Sequence, residues 1–117
     1  MSSCFWHLKS ANVMLKIAQD ELYNNGYVTI NASLKALEEI IDAYCANHNI
    51  HFHDEPNTAW KNRIEWIKKN EEKKLYNEFY EIMDLINLFF RTKDECYLEQ
   101  TLSMIKRNIN VLQIRSK

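Results

Sequence analysis

Six residues capable of metal-ligand or acid–base chemistry crowd into one short stretch: Cys45, His48, His51, His53, Asp54 and Glu55. Sulfur, imidazole nitrogen and carboxylate oxygen are the donors that zinc accepts. Cys45 and His48 stand three positions apart, on one face of a helix, and an extended segment beyond would turn His51 and His53 the same way. The spacing matches no established zinc motif. A helix C-terminus accounts for His48 equally well, because an imidazole there meets the favourable end of the helix dipole, with His51 and His53 as exposed loop residues. Cys45, His48, His51 and His53 are therefore the metal candidates, and no cofactor is expected.

Other catalytic chemistries find less. A bundle-held di-iron or di-manganese centre uses Glu-x-x-His pairs, but Cys4, Cys45, His48 and Ile50 occupy the positions three before the four histidines. Glu38, Glu39, Asp42, Glu78, Glu81 and Asp84 are available for acid–base work, yet helix surfaces are ordinarily rich in such residues. The serines lack a nucleophile-elbow context, and one glycine, Gly26, cannot build a phosphate loop. No catalytic residue is assigned.

Binding chemistry is better represented. Lys68, Lys69, Lys73 and Lys74 form a basic cluster interrupted by Glu71 and Glu72. Near the C-terminus Lys106, Arg107, Arg115 and Lys117 are the candidates for contact with nucleic-acid phosphates, a binding that salt would weaken. The same charges also offset a helix dipole, which needs no ligand. Aromatic residues make up 12% of the chain, generous for a small interior. Phe5, Trp6, Tyr76, Tyr80 and Phe90 lie off the main apolar stripes and are the candidates for a partner-binding surface, with core packing as the competing explanation.

The elements that must position these residues follow from length and period. A chain of 117 residues with 46% hydrophobic and 26% charged residues is expected to be one ordinary globular domain spanning 1–117. A formal net charge of −1 exerts no global pull on nucleic acid or anionic lipid. Three widely separated cysteines fit reduced thiols better than a disulfide framework. The nine-residue run from Ile82 to Phe90 is too short to span a bilayer. With no signal-peptide, myristoylation or prenylation pattern, a soluble, cytoplasmic protein is expected.

One glycine and one proline cannot supply the turns of a β-domain. Leu8, Ala11, Leu15, Ala18 and Leu22, spaced 3, 4, 3 and 4, mark a first helix. Gly26 then reads as a left-handed C-terminal stop. A second helix, beginning near Thr29, carries Ile30, Leu34, Leu37, Ile41, Tyr44 and His48, and Ala36, Ile40 and Ala43 widen its face enough for a central position. Residues 49–56 form the longest loop, and Pro56 suits the first turn of a third helix with Trp60, Ile64 and Ile67 as its ridge and Trp66 beside it. KKNEEKK at 68–74 is an exposed joint or a solvated stretch. Leu75, Phe79, Ile82, Ile86 and Phe89 mark a fourth helix. Thr92 to Glu95 fits a capping box, and Leu98, Leu102, Ile105, Ile109 and Leu112 mark the last helix. The expected fold is all-α, a compact antiparallel bundle of about five helices.

Residues 11–50, ANVMLKIAQDELYNNGYVTINASLKALEEIIDAYCANHNI, resemble a HEPN-type domain. Ala11, Leu15, Ala18 and Leu22 precede a Gly-Tyr turn, and a second helix follows with Ala32, Ala36, Leu37, Glu38 and Ala43. LYNEFYEIMDLINLFF at 75–90 is similar in layout to prokaryotic members of that group. The resemblance implies either a metal-independent RNA endonuclease or an inactive partner that dimerises, binds nucleotides or neutralises a toxin. The nuclease members carry Arg followed four to six residues later by His. Here every His precedes every Arg, from His7, His48, His51 and His53 to Arg63, Arg91, Arg107 and Arg115. The expected role is therefore non-catalytic: a homodimer or protein-binding module of a toxin–antitoxin or defence-type system. An RNA- or nucleotide-binding module, or a divergent endonuclease, is the alternative.

Overall fold

Apolar stripes of helical period run through most of the chain, and the computed structural model folds them into five helices among the described residues. Its backbone is described for residues 3–46, 59–70 and 73–115, and its side chains within 5–46, 61–69 and 76–113. The elements are α1 (Ser3–Asp20), α2 (Gly26–Ala46), α3 (Ala59–Asn70), α4 (Lys73–Thr92) and α5 (Glu95–Arg115). The all-α fold expected from the stripes is the fold observed. A radius of gyration of 13.8 Å is close to the ~13 Å of a compact domain of about 100 residues.

Two helical hairpins make the frame. Thr29 Oγ1 donates to the Ala18 carbonyl at 3.0 Å beside the first turn, and His7 Nδ1 meets Glu39 Oε2 at 2.6 Å far from it, so α1 and α2 run antiparallel. In the second hairpin Glu78 of α4 accepts from Arg107 and Asn108 of α5. Gly26 at the start of α2 lies against Phe89 at the end of α4 and Leu98 at the start of α5, so α2 and α5 begin at the same end of the bundle. α2 packs against α1, α5 and α3, the central position its wide apolar face suggested. Every residue of the last stripe, Leu98, Leu102, Ile105, Ile109 and Leu112, is buried, as are Phe79, Ile82, Ile86 and Phe89 of α4. Ile67 is buried in α3, with Ile64 and Trp66 packed partly against the core. Of the charged run 68–74, Lys68 and Lys69 are exposed in the last turn of α3, and the side chains of 70–74 lie outside the description, as do residues 49–56 with Pro56.

Two helix boundaries differ from the sequence reading. Gly26 is not a left-handed stop, since no described glycine has positive φ. It is the first residue of α2, which starts three residues before Thr29. Asn25 caps it: its Oδ1 accepts from the amides of Tyr27 and Val28 at 3.2 and 3.3 Å, and its carbonyl accepts from Thr29 at 3.1 Å. The glycine makes room for the tips of two side chains. A Cβ there would stand 2.8 Å from both Leu98 Cδ1 and Phe89 Cζ.

The Thr92–Glu95 capping box is likewise displaced. Thr92 ends α4, donating through Oγ1 to the Leu88 carbonyl at 2.8 Å, and Asp94 caps α5 by accepting from the Cys96 amide at 2.9 Å. Between them Lys93 takes the left-handed conformation, with φ at 61°. Its amide donates to the Phe89 carbonyl at 2.7 Å, the closing bond of a helix end where glycine is the usual residue.

Candidate functional site

α1 carries two apolar faces. The inner one holds Ala11, Leu15 and Ala18, all buried, with Leu8 and Leu22 partly so. On the outer side Trp6, Val13 and Ile17 are 56%, 50% and 38% exposed. Their positions differ by seven and four, so they form a second stripe along one line of the helix. A groove of about 600 Å³ runs beside it, lined by Lys9, Asn12, Val13, Lys16, Ile17 and Asp20. Lys16 Nζ and Asp20 Oδ2 pair at 3.0 Å at one end, and Lys9 lies over the Trp6 ring at 5.5 Å toward the other. Phe5 is exposed beside Trp6 and meets it edge-on, centroids 5.4 Å apart. The sequence reading found Phe5 and Trp6 but missed Val13 and Ile17, although their spacing signals a stripe opposite the core.

The other aromatic candidates sit elsewhere. Tyr76 is half-buried and Tyr80 exposed on α4; their hydroxyls are 3.1 Å apart, and that bond raises the Tyr80 phenol above its ordinary value. Phe90 is exposed at the end of α4, stacked on Tyr27. The ring contacts thus join the candidates as pairs, Phe5 with Trp6, Tyr76 with Tyr80, and Phe90 with Tyr27, rather than as one surface.

A second concentration of chemistry lies where α1, α2 and α3 meet. Glu38, Glu39 and Asp42 rise along α2, each facing a partner. Arg63 of α3, almost wholly buried, forks onto Asp42 through Nε at 2.7 Å and Nη2 at 2.8 Å, and Nη2 also reaches Glu38 Oε1 at 3.3 Å. Burial alone would lower the Arg63 guanidinium; the hydrogen bonds and charge of Asp42 reverse that and raise it. Lys35 pairs with Glu38 at 3.5 Å and Glu39 at 3.2 Å. Its ammonium is also raised, the carboxylates outweighing a larger burial effect of opposite sign. His7 completes the row through Glu39. Both Asp42 oxygens are held in a fork, an arrangement that fixes α3 to α2.

Cys45 is wholly buried beside this network. Burial pushes its thiol up to about 12, with the Asp42 charge adding and Arg63 opposing. Without a metal the buried thiol is protonated at neutral pH. His48, His51 and His53 lie outside the described residues. Among the described residues no group of three or more His, Cys, Asp or Glu side chains is placed to hold a metal ion.

Of the basic residues near the C-terminus, Lys106 and Arg107 are exposed, and the side chains of Arg115 and Lys117 lie outside the description. Arg107 Nη2 donates to Glu78 Oε1 at 2.8 Å, while buried Asn108 donates to Glu78 Oε2 at 3.0 Å and to the Met104 carbonyl at 2.8 Å. The arginine is thus drawn into the α4–α5 contact. Glu81 and Asp84 are exposed on α4. No described helix is long and apolar enough to cross a membrane.

Compared with family models, curated proteins and solved structures, the chain matches none of them.

Proposed function

We propose that this chain is a non-catalytic HEPN-like bundle that works by holding a protein partner, in the first place a second copy of itself. The observation that carries the reading is the outer stripe of α1, where Trp6, Val13 and Ile17 leave apolar surface in water that the fold itself does not need to expose. Ala11, Leu15, Ala18, Ala32, Ala36, Leu37 and Ala43, among the residues behind the HEPN resemblance, are buried. The order of His and Arg along the chain supports a non-catalytic member.

Size limits the strength of the association. An 18-residue helix is about 27 Å long and about 10 Å wide. Its outer face therefore offers under roughly 300 Å², against ~800 Å² per partner in a standard interface. Association through α1 alone is weak and concentration-dependent, and a tight complex must recruit the flanks.

Light scattering coupled to size exclusion tests this. The mass of the wild type is expected to rise from monomer toward dimer with concentration, and Val13→Asp to stay monomeric with unchanged helicity and Tm. A wild type that is monomeric throughout, or a Val13→Asp variant that associates as before, overturns the reading.

A further inference from the structure

Three rings from two elements converge where α2 begins and α4 ends. Tyr27 stacks on Phe90 with centroids 5.8 Å apart, meets Phe89 edge-on at 5.9 Å, and Phe89 lies 6.1 Å from Phe90. The Lys93 ammonium caps this triangle, 5.1, 5.9 and 5.8 Å from the centroids of Tyr27, Phe89 and Phe90. It also donates to the Tyr27 hydroxyl at 2.6 Å. Ring faces attract cations at this range, so the ammonium is held by three π-faces and one hydrogen bond.

The backbone below it is strained for that residue. Lys93 has φ of 61°, a conformation that L-residues adopt at a cost and that glycine adopts freely. A lysine stands where glycine would close the helix more cheaply, and its side chain folds back onto the rings. Phe89 is buried as the floor, whereas Tyr27 and Phe90 are 49% and 42% exposed, so the rings stay open to solvent around the ammonium.

We propose that Tyr27, Phe89 and Phe90 form an alkylammonium-binding platform that the chain's own Lys93 occupies in cis. Its ligand is a protonated amine on an alkyl stem, either the lysine side chain of a partner or a free amine. A quaternary ammonium is disfavoured, because it has no N–H for the Tyr27 hydroxyl. An incoming amine must displace Lys93, which weakens apparent binding as any tethered competitor does. The site is independent of the outer face of α1.

Lys93→Gly empties the platform and relieves the positive φ, so the fold is retained. Butylammonium is titrated into the wild type, Lys93→Gly and Lys93→Gly/Tyr27→Leu, following the ring-current shift of its methylene protons and the Tyr27 and Phe90 ring signals by NMR. Butanol serves as the neutral control. Lys93→Gly is expected to bind butylammonium at least about tenfold more tightly than the wild type, with butanol giving no comparable shift and Tyr27→Leu removing the gain. Lysine blocked at both ends, compared with butylammonium, separates the sources: tighter binding of the blocked residue assigns a protein side chain, and weaker binding a free amine. Equal binding by wild type and Lys93→Gly, equal shifts with butanol, or indifference to Tyr27→Leu overturns the proposal.

Discussion

Gly26→Ala should destabilise the protein although alanine is the better helix former, and the reason lies in two contacts between hairpins. The added methyl would stand 2.8 Å from Leu98 Cδ1 and from Phe89 Cζ. Both side chains are buried, with 1% and 5% exposure, so neither can swing into water to make room. Overpacking of this kind costs about 1–3 kcal/mol. Against it stands the lower unfolded-state entropy of alanine, worth about 0.4–1 kcal/mol, which is also the main source of its better helix propensity. The net expectation is a loss of about 1–2 kcal/mol, or a fall in Tm of roughly 4–10 °C for a domain of this size. Chemical and thermal denaturation read it directly. Gly26→Asn discriminates the cause. Asparagine tolerates the left-handed conformation, so it should be the milder change if backbone freedom were the reason for glycine. It is bulkier than alanine, so it is the harsher change if space is. Phe89→Leu or Leu98→Val in the Gly26→Ala background should recover part of the loss, a coupling of about 0.5–3 kcal/mol. A stabilised Gly26→Ala, or an Asn variant milder than Ala, refutes the steric argument.

Two further outcomes follow from the α2–α3 network. Arg63→Ala strands the buried Asp42 carboxylate and should cost roughly 3–5 kcal/mol, whereas Arg63→Met with Asp42→Leu should recover most of it; urea denaturation measures both. Cys45 sets an alkaline limit. Its folded value of about 12 against 9.0 for the free thiol means that between these values the unfolded chain loses a proton that the folded chain keeps. The Cys45 contribution to stability is therefore full below pH 9 and is lost as pH rises toward about 12, by at most ~1.4 kcal/mol per pH unit and by less where water screens the charge. Cys45→Ala should flatten that slope. In the native protein a thiol reagent should modify exposed Cys96 promptly and Cys45 only on unfolding.

Local periodicity was enough to place the core. Leu98, Leu102, Ile105, Ile109 and Leu112 repeat at helical spacing and are all buried, because a stripe of that kind has one stable destination. The misread boundaries are instead places where one residue type has two uses. Glycine serves left-handed stops and close approaches alike, and only the arrival of Phe89 and Leu98, distant in sequence, makes Gly26 the second kind. Thr92 and Asp94 are both competent caps, and the choice fell to the residue after Lys93 turned left-handed. Arg63 could not be singled out beforehand, since its partners Asp42 and Glu38 lie 21 and 25 residues away on another helix. Val13 and Ile17 were legible in principle. Their line on α1 continues from Trp6, but aromatic content marks a surface more loudly than spacing does.

The polar contacts of α2 explain how a surface stripe on α1 becomes usable. α2 buries twelve of its described residues, and apolar burial, being non-directional, leaves some freedom in which neighbour each face meets while the core is forming. Its polar side chains remove that freedom by choosing different neighbours. Thr29 takes the Ala18 carbonyl of α1, Glu39 takes His7 near the other end of α1, and Asp42 takes Arg63 of α3. α1 is thereby pinned to α2 at two points 11 residues apart along its length, at Ala18 and His7. The segment between them carries Val13 and Ile17 is held at its edge. A helix fixed at both ends has little backbone freedom left to lose on association, which lowers the entropic cost that otherwise defeats a small interface. Loosening either pin, by His7→Ala or Thr29→Val, should therefore weaken self-association without touching the stripe; association unchanged in both variants would break the link between the internal network and the outer face.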